Sequence, residues 1–278
     1  MLIDAHQHFW RIGQNDCAWP TPDLAAIHRD FEPRDLRAEA GSDLVGAVTV
    51  QSQPNDADTD WLLELAEDEP LILGVVGWVD LQSPRASERI AALSARPKFK
   101  GVRPMLQNLS DDAWIARSDL APAIDALVSR DLSLDALVFT RHLPHLLSLA
   151  TRRPDLRIVI DHGAKPPIAR DAFDEWADAM SRLAALPQVH CKLSGLLTEA
   201  RPDQSPDAIT PYVDHLIALF GTDRLMWGSD WPVVNLATDY AAWLGQAKSF
   251  PALRAPASAQ AVFSDVARRF YRLDAGLQ

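Results

Sequence analysis

Short apolar runs alternate with amphipathic stretches along the whole chain. Eight runs predict strands, at residues 2–9, 45–51, 71–79, 100–105, 133–139, 157–162, 189–193 and 224–228. Between the runs, apolar residues recur at three- and four-residue spacing, as on the buried face of a helix. Trp176, Met180 and Leu183 form one such stripe. Strands that alternate with helices predict βαβ units and a parallel sheet.

Eight such units in 278 residues predict an α/β protein with a single-domain (β/α)8 barrel over residues 1–278. A doubly wound open sheet is the alternative, but no glycine-rich phosphate loop follows any of the eight runs. Residues 13–33 contain Pro20, Pro22 and Pro33 and show little periodicity. We therefore expect a long loop after the first strand, placed as a lid over the site.

Composition narrows the class of protein. The chain is 47% hydrophobic and 23% charged, as in globular proteins, and its formal net charge of -11 makes it a poor partner for nucleic acid. No apolar run approaches the roughly 20 residues of a membrane span, and the first residues lack the basic region of a signal peptide. The two cysteines form no disulfide framework, so we expect a cytoplasmic protein. Composition does not distinguish a monomer from a homodimer.

Polar side chains lie near the carboxyl ends of the predicted strands, the end at which such barrels carry active sites. Asp4, His6 and His8 alternate along the first strand, so we expect them on one face. Asp230 follows the last strand, which neighbours the first when a barrel closes. His6, His8 and Asp230 should therefore meet, as acid/base groups or as metal ligands.

Other residues near strand ends are weaker candidates. They are Gln51, Trp78, Arg103, His162, Lys192 and Trp231. Each has an ordinary structural explanation. A lone histidine at a strand end is more often structural than catalytic, Lys192 can form a buried ion pair, and Asp230 can cap a helix. Trp78 and Trp231 are either core residues or stack on a sugar ring. In a barrel mouth, Arg103 favours a clamp for an anion or a carbonyl.

Six short segments, in order along nearly the whole chain, together resemble the amidohydrolase superfamily. They are IDAHQHFW at 3–10, GVVGWVDL at 74–81, KGVR at 100–103, DHGAKP at 161–166, CKLSG at 191–195 and MWGSDWP at 226–232. The likeness is to amidohydrolase family 2, in its branch of sugar-acid lactonases. It implies a (β/α)8 barrel with His6 and His8 on the first strand, His162 on the sixth and Asp230 on the last.

The resemblance also implies an activity. Such enzymes are hydrolases of carboxylic ester bonds that open an aldonolactone, such as L-fuconolactone, L-rhamnonolactone or galactonolactone, to the free acid. Either no cofactor is required or a single divalent metal ion, Zn²⁺ in the simplest case, is held by His6, His8 and Asp230. Arg103 and Pro104 stand where two-metal relatives carry a bridging group, so a two-metal centre is not expected.

Lactone hydrolysis needs an activated water, a polarised carbonyl and a proton for the leaving oxygen. We expect Asp230 to activate the water, and His6, His8 and His162 to polarise the carbonyl. The substrate contacts are expected from Gln51, Trp78, Arg103, Lys192 and Trp231. Two alternatives remain open at this point. One is a metal-dependent decarboxylase or another hydrolase of the same superfamily, and the other is a barrel that binds sugar acids without turnover.

Overall fold

The computed structural model describes residues 1–273, and its centre is one sheet of eight parallel strands in chain order. In that order, β1 to β8 are Leu2–Gln7, Leu44–Val50, Ile72–Gly77, Phe99–Val102, Ser133–Ala136, Arg157–Ile160, Val189–Leu193 and Leu225–Trp227. Each predicted strand is present, and most end one to three residues earlier than predicted.

Within residues 1–273, ten helices, α1 to α10, are numbered in chain order. They are Pro33–Ala40, Asp56–Asp68, Ala86–Ser94, Ala121–Ser129, Leu143–Arg152, Asp174–Ala184, Thr210–Phe220, Tyr240–Ser249, Pro256–Gln260 and Val266–Tyr271. Short 3-10 turns extend several of the loops, and one π-helical turn joins α9 to α10. None of the helices in residues 1–273 is long and apolar enough to cross a lipid bilayer.

The sheet curls until β1 meets the segment that follows β8. Gln7 pairs in parallel with Trp231. The Asp230 amide donates to the His6 carbonyl at 2.8 Å, and the His8 amide donates to the Trp231 carbonyl at 2.7 Å. These bonds make the sheet a nearly closed (β/α)8 barrel, which confirms the predicted fold and excludes the open sheet.

Alternate strand residues separate into two apolar layers. Ile158 and Ile160 pack with the surrounding helices. Val159, between them, belongs to a second cluster that includes strand residues such as Val48 but no residue of α1 to α8. This second cluster is therefore the barrel interior. Its remaining members come from α10 and Leu273, which lie against the starts of the strands and close the amino-terminal end of the barrel.

A bulge in β1 changes which side chains share a face. Asp4 pairs with Ala47 and Gln7 with Thr49, so three steps along β1 match two along β2. Such a bulge redirects the side chains beyond it. The carboxylate of Asp4 accepts hydrogen bonds from the backbone amides of Ser229 and His6, whereas the His6 ring lies in the barrel mouth. The prediction that Asp4 shares a face with the two histidines is therefore wrong.

The loop after β1 is packed in place. The side chain of Gln53 accepts hydrogen bonds from the amides of Ala18 and Trp19 and donates to the Trp19 carbonyl at 2.6 Å. The Trp10 ring packs edge-on against Trp19 and Phe31 at 5.3 and 5.4 Å between ring centroids. These contacts fix the loop beside the carboxyl end of β1, and its role as a lid stays a prediction.

Candidate active site

Three imidazoles and one carboxylate meet at the carboxyl end of the barrel. Oδ1 of Asp230 lies 3.2 Å from Nε2 of His8, 3.7 Å from Nε2 of His6 and 3.8 Å from Nε2 of His162. The Nε2 atoms of His6 and His8 are 3.2 Å apart. All four residues are at most 4% exposed. The structure thus brings together the four residues that the sequence analysis placed in the catalytic role.

Two of these side chains belong to residues whose backbone is in the left-handed conformation. Asp230 has φ of 58° and His162 has φ of 54°, a region that residues other than glycine seldom adopt and that clusters at functional sites. His162 follows β6 in a turn that redirects its ring toward the mouth. Nδ1 of His162 is 2.9 Å from the Ser194 hydroxyl. Gly195 leaves room for the ring, because a Cβ there would lie 2.5 Å from Nδ1.

The protonation states follow from burial and charge. Burial lowers the pKa of His6 and of His162 well below the ordinary value of histidine, so both rings are neutral near neutral pH. Burial alone would raise the pKa of Asp230. Its interactions with His162 and His8 outweigh burial and bring that pKa below its ordinary value. Asp230 is therefore a carboxylate throughout the physiological range.

A buried charge cluster lies beneath the imidazoles. Nζ of Lys192 is 2.7 Å from Oδ2 of Asp135, 3.0 Å from Oδ1 of Asp161 and 3.1 Å from Nδ1 of His6. The contacts with Asp135 and His6 are hydrogen bonds, and the contact with Asp161 is an ion pair. Lys192 is fully buried. The structure therefore places Lys192 among protein partners, not at the substrate surface that the sequence analysis expected.

Asp135 and Asp161 are site residues that the sequence analysis missed. Both acids are fully buried, Asp135 inside β5 and Asp161 directly after the apolar end of β6. Burial raises the pKa of Asp135, whereas the charge of Lys192 outweighs burial and lowers the pKa of Asp161. A single acid inside an apolar strand was the available signal, since such a residue needs a buried partner.

Arg103 is held by Gln51. Nη2 of Arg103 donates to the Gln51 carbonyl and lies 3.3 Å from its Oε1, and Nε2 of Gln51 donates to the Arg103 carbonyl at 3.0 Å. Nη1 of Arg103 is 3.7 Å from Oδ2 of Asp161. Within residues 1–273, the Nε donor of Arg103 has no hydrogen-bond partner. That donor is buried, so it is an unpaired group inside the protein and not part of the open surface of the site.

The two candidate tryptophans differ in position. Trp231 is fully buried between the rings of Phe9 and Phe31, at 6.1 and 5.1 Å between centroids, so it is a core residue here. Trp78 is partly exposed, and the hydroxyl of Thr59 bonds both its amide and its carbonyl. Its ring is the one of the two that solvent reaches, and stacking on a sugar stays a prediction for it.

The side chains of His6, His8 and Asp230 fit a divalent metal ion. The Nε2 atoms of His6 and His8 and Oδ1 of Asp230 are separated by 3.2, 3.2 and 3.7 Å. A tetrahedral zinc with bonds of about 2.0–2.1 Å separates neighbouring ligand atoms by about 3.3 Å. Nδ1 of His8 also lies 2.8 Å from the Val50 carbonyl. In metal sites, the ring nitrogen that does not bind the metal typically donates to such a carbonyl, which fixes the orientation of the ring.

Comparison with known proteins agrees with this geometry. The amidohydrolase family model matches residues 3–273. An L-fucono-1,5-lactonase of Burkholderia ambifaria is 51% identical over 98% of this chain and 96% of its own length, and one of Burkholderia multivorans is 40% identical over 86% and 85%. A crystal structure of a Burkholderia multivorans amidohydrolase with bound zinc has a TM-score of 0.90 and 35% identity, covering 98% of this chain and 99% of that one.

Proposed function

The chain belongs to the amidohydrolase family, and from that premise we infer that it is a lactonase that opens a sugar-acid lactone to the free acid. The observation that carries this conclusion is the carboxylate of Asp230 among three imidazoles, in a chain that shares half its residues with an L-fucono-1,5-lactonase. We propose L-fucono-1,5-lactone as the substrate. The alternative of a metal-dependent decarboxylase is not favoured, because the two relatives with 51% and 40% identity to this chain are both L-fucono-1,5-lactonases.

The reaction adds one water to the ring ester. Asp230 accepts a proton from the water as its oxygen attacks the carbonyl carbon, and a tetrahedral intermediate forms. The intermediate collapses when the bond between the carbonyl carbon and the ring oxygen breaks. Asp230 then returns the proton to the leaving ring oxygen, which becomes a hydroxyl group. The product is an open-chain hydroxy acid, and the enzyme regains its starting protonation state.

The imidazoles act on the carbonyl oxygen. A neutral imidazole donates one N–H, and a donor fixed in a buried site stabilises the developing oxyanion more than water does. His6 and His162 are both neutral and buried at the mouth. Each lies within 4 Å of Asp230, so water and carbonyl would be bound side by side.

The low pKa of Asp230 has a consequence for the mechanism. A carboxylate below its ordinary pKa is a weak base, so its contribution depends on position more than on basicity. A divalent ion held by His6, His8 and Asp230 would supply Lewis-acid polarisation and a more acidic water when bound. The guanidinium of Arg103 and the ring of Trp78 are proposed to hold the hydroxyl groups and the sugar face of the substrate.

Proton release measured in a pH-stat tests the function. L-Fucono-1,5-lactone, L-rhamnonolactone and galactonolactone are compared with wild-type protein, the Asp230→Asn variant and an Asp178→Asn control at an exposed helical carboxylate. We expect Asp230→Asn to lower kcat about 10²- to 10⁴-fold, the usual contribution of a general base, and Asp178→Asn to leave it unchanged. A wild-type rate equal to spontaneous hydrolysis for every lactone would contradict the proposal.

A further inference from the structure

We propose that Tyr271 and Asp135 are positioning residues that hold Lys192 beneath His6, and that in the metal-free site this contact decides which nitrogen of His6 carries the proton. The proposal rests on the function above, in which His6 acts at the barrel mouth. These contacts connect α10, at the closed end of the barrel, to the reacting groups at the open end.

A continuous line of buried contacts carries this inference. The Tyr271 hydroxyl donates to Oδ2 of Asp135 at 2.6 Å, and Nζ of Lys192 donates to the same oxygen at 2.7 Å. The Ser133 hydroxyl donates to the other oxygen, Oδ1, at 2.8 Å. Nζ of Lys192 then lies 3.1 Å from Nδ1 of His6. None of these five side chains is more than 1% exposed.

The direction of the last contact follows from its atoms. An ammonium group donates hydrogen bonds and cannot accept them, so Nδ1 of His6 is the acceptor from Lys192. A neutral imidazole whose Nδ1 accepts carries its proton on Nε2. Nε2 of His6 lies 3.2 Å from Nε2 of His8 and 3.7 Å from Oδ1 of Asp230, so in the metal-free site its N–H points into the barrel mouth, beside the place where water and carbonyl would bind.

The alternative state of His6 is also built into the site. Oδ1 of Asp161 lies 3.4 Å from Nδ1 of His6. If Lys192 moves away, this carboxylate becomes the neighbour of Nδ1, and it can only accept. His6 would then carry its proton on Nδ1 and present a lone pair at the mouth. The place of the ammonium group therefore selects between a donor and an acceptor at the reacting end of the ring.

Tyr271 and Asp135 determine that place. Lysine is a flexible chain with a compact charge, so its position depends on the anion that holds it. The carboxylate of Asp135 is clamped on both oxygens, by Ser133 and by Tyr271. Removal of the Tyr271 hydroxyl releases one side of the clamp. The carboxylate can then rotate about its broad terminal torsion, and Lys192, which follows this carboxylate, can move away from Nδ1 of His6.

Full-length Tyr271→Phe protein tests the proposal, with Tyr212→Phe as a matched control. Tyr212 is also buried, but it lies on α7 and packs against Trp176 outside the barrel. We expect Tyr271→Phe to lower kcat on the best lactone about 10-fold, in line with loss of a hydrogen bond to a charged group, with KM nearly unchanged. Tyr212→Phe should retain wild-type kcat.

Nitrogen-15 NMR of histidine-labelled, chelator-treated protein reads the tautomer without turnover. The His6 resonances are assigned by their loss in His6→Gln. We expect the Nε2–H form in wild type and in Tyr212→Phe, and a substantial Nδ1–H population in Tyr271→Phe and in Asp135→Asn. Wild-type His6 resonances in both of the last two variants would overturn the proposal. So would an equal loss of kcat in Tyr212→Phe. If wild type turns over no lactone, the proposed function fails while the NMR result still decides the tautomer.

Discussion

Asp4 is a fully buried carboxylate that costs the folded protein stability at neutral pH. Burial raises its pKa to about 6, although the amides of Ser229 and His6 donate to Oδ1 at 2.9 and 3.2 Å and oppose the rise. Asparagine has nearly the same shape, and its Oδ1 can accept the same two bonds. We therefore predict that Asp4→Asn stabilises the protein at neutral pH.

The size of the stabilisation follows from the difference between the pKa of Asp4 in the folded chain and its pKa in the unfolded chain. An aspartate in an unfolded chain has a pKa of about 3.9, and each pKa unit corresponds to about 1.4 kcal/mol, so ionising Asp4 in the folded protein costs about 3 kcal/mol. A pKa raised by folding favours the folded state at low pH. That contribution is lost as pH rises from about 4 to about 6. The gain from Asp4→Asn should therefore be small near pH 4 and reach at most about 3 kcal/mol above pH 6.

Thermal unfolding of the two proteins at about pH 5 and about pH 7.5 measures this difference, because Asp4 titrates between those values. For a chain of this length, 3 kcal/mol corresponds to a rise in Tm of about 5 °C. Asp178→Asn, at an exposed position of α6, is the control and should not change Tm at either pH. An Asp4→Asn variant that melts below wild type at the higher pH, or by the same margin at both, would refute the reasoning.

Two further predictions concern the imidazoles. Gly195→Ala should lower kcat at least about 10-fold, because Gly195 has φ of +59° and the added Cβ would lie 2.5 Å from Nδ1 of His162. The control is Gly245→Ala in α8, where nothing lies within 4 Å of the added Cβ. This control variant should keep wild-type kcat. The pH profile of kcat/KM, corrected for spontaneous hydrolysis, should show no midpoint of Asp230, His6 or His162 between about pH 6.5 and 8, because the pKa values of all three are lowered. A midpoint in that range that is assigned to one of these three groups would contradict the prediction.

The barrel could be predicted because its signals are local. Apolar runs and helical stripes repeat along the chain, and each strand lies where a run predicts it. The pairing of His6 and His8 with Asp230 also followed from spacing and from the closure of a barrel, which joins the first strand to the last. Both inferences need only the period of a strand and the order of the strands.

The remaining features depend on irregular backbone. Strict alternation assigns Asp4 to the face of His6, and the β1 bulge breaks that alternation. Alternation also places His162 with the outward-facing Ile158 and Ile160, but a left-handed turn after β6 redirects its ring into the mouth. Neither irregularity has a glycine at the decisive residue, so the usual sequence signal for it is missing.

The charge cluster under the site could not be assigned for a different reason. Asp135, Lys192 and Tyr271 come from β5, β7 and α10, and only the folded barrel shows that they touch. The sequence analysis expected Lys192 at the substrate, with a buried ion pair as the structural alternative. In the structure, Lys192 pairs with the buried carboxylates of Asp135 and Asp161. An unpaired buried charge is strongly destabilising, so these two acids hold the lysine away from the substrate.

The central claim is that the residues around Asp230 open a sugar-acid lactone. The most direct measurement is one continuous pH-stat record on L-fucono-1,5-lactone, first without protein, then with wild type, and in a parallel run with Asp230→Asn. The account predicts that wild type accelerates proton release far above the spontaneous rate and that Asp230→Asn brings it back nearly to that rate. An Asp230→Asn variant as fast as wild type, or a wild type that adds nothing to the spontaneous rate, would contradict it.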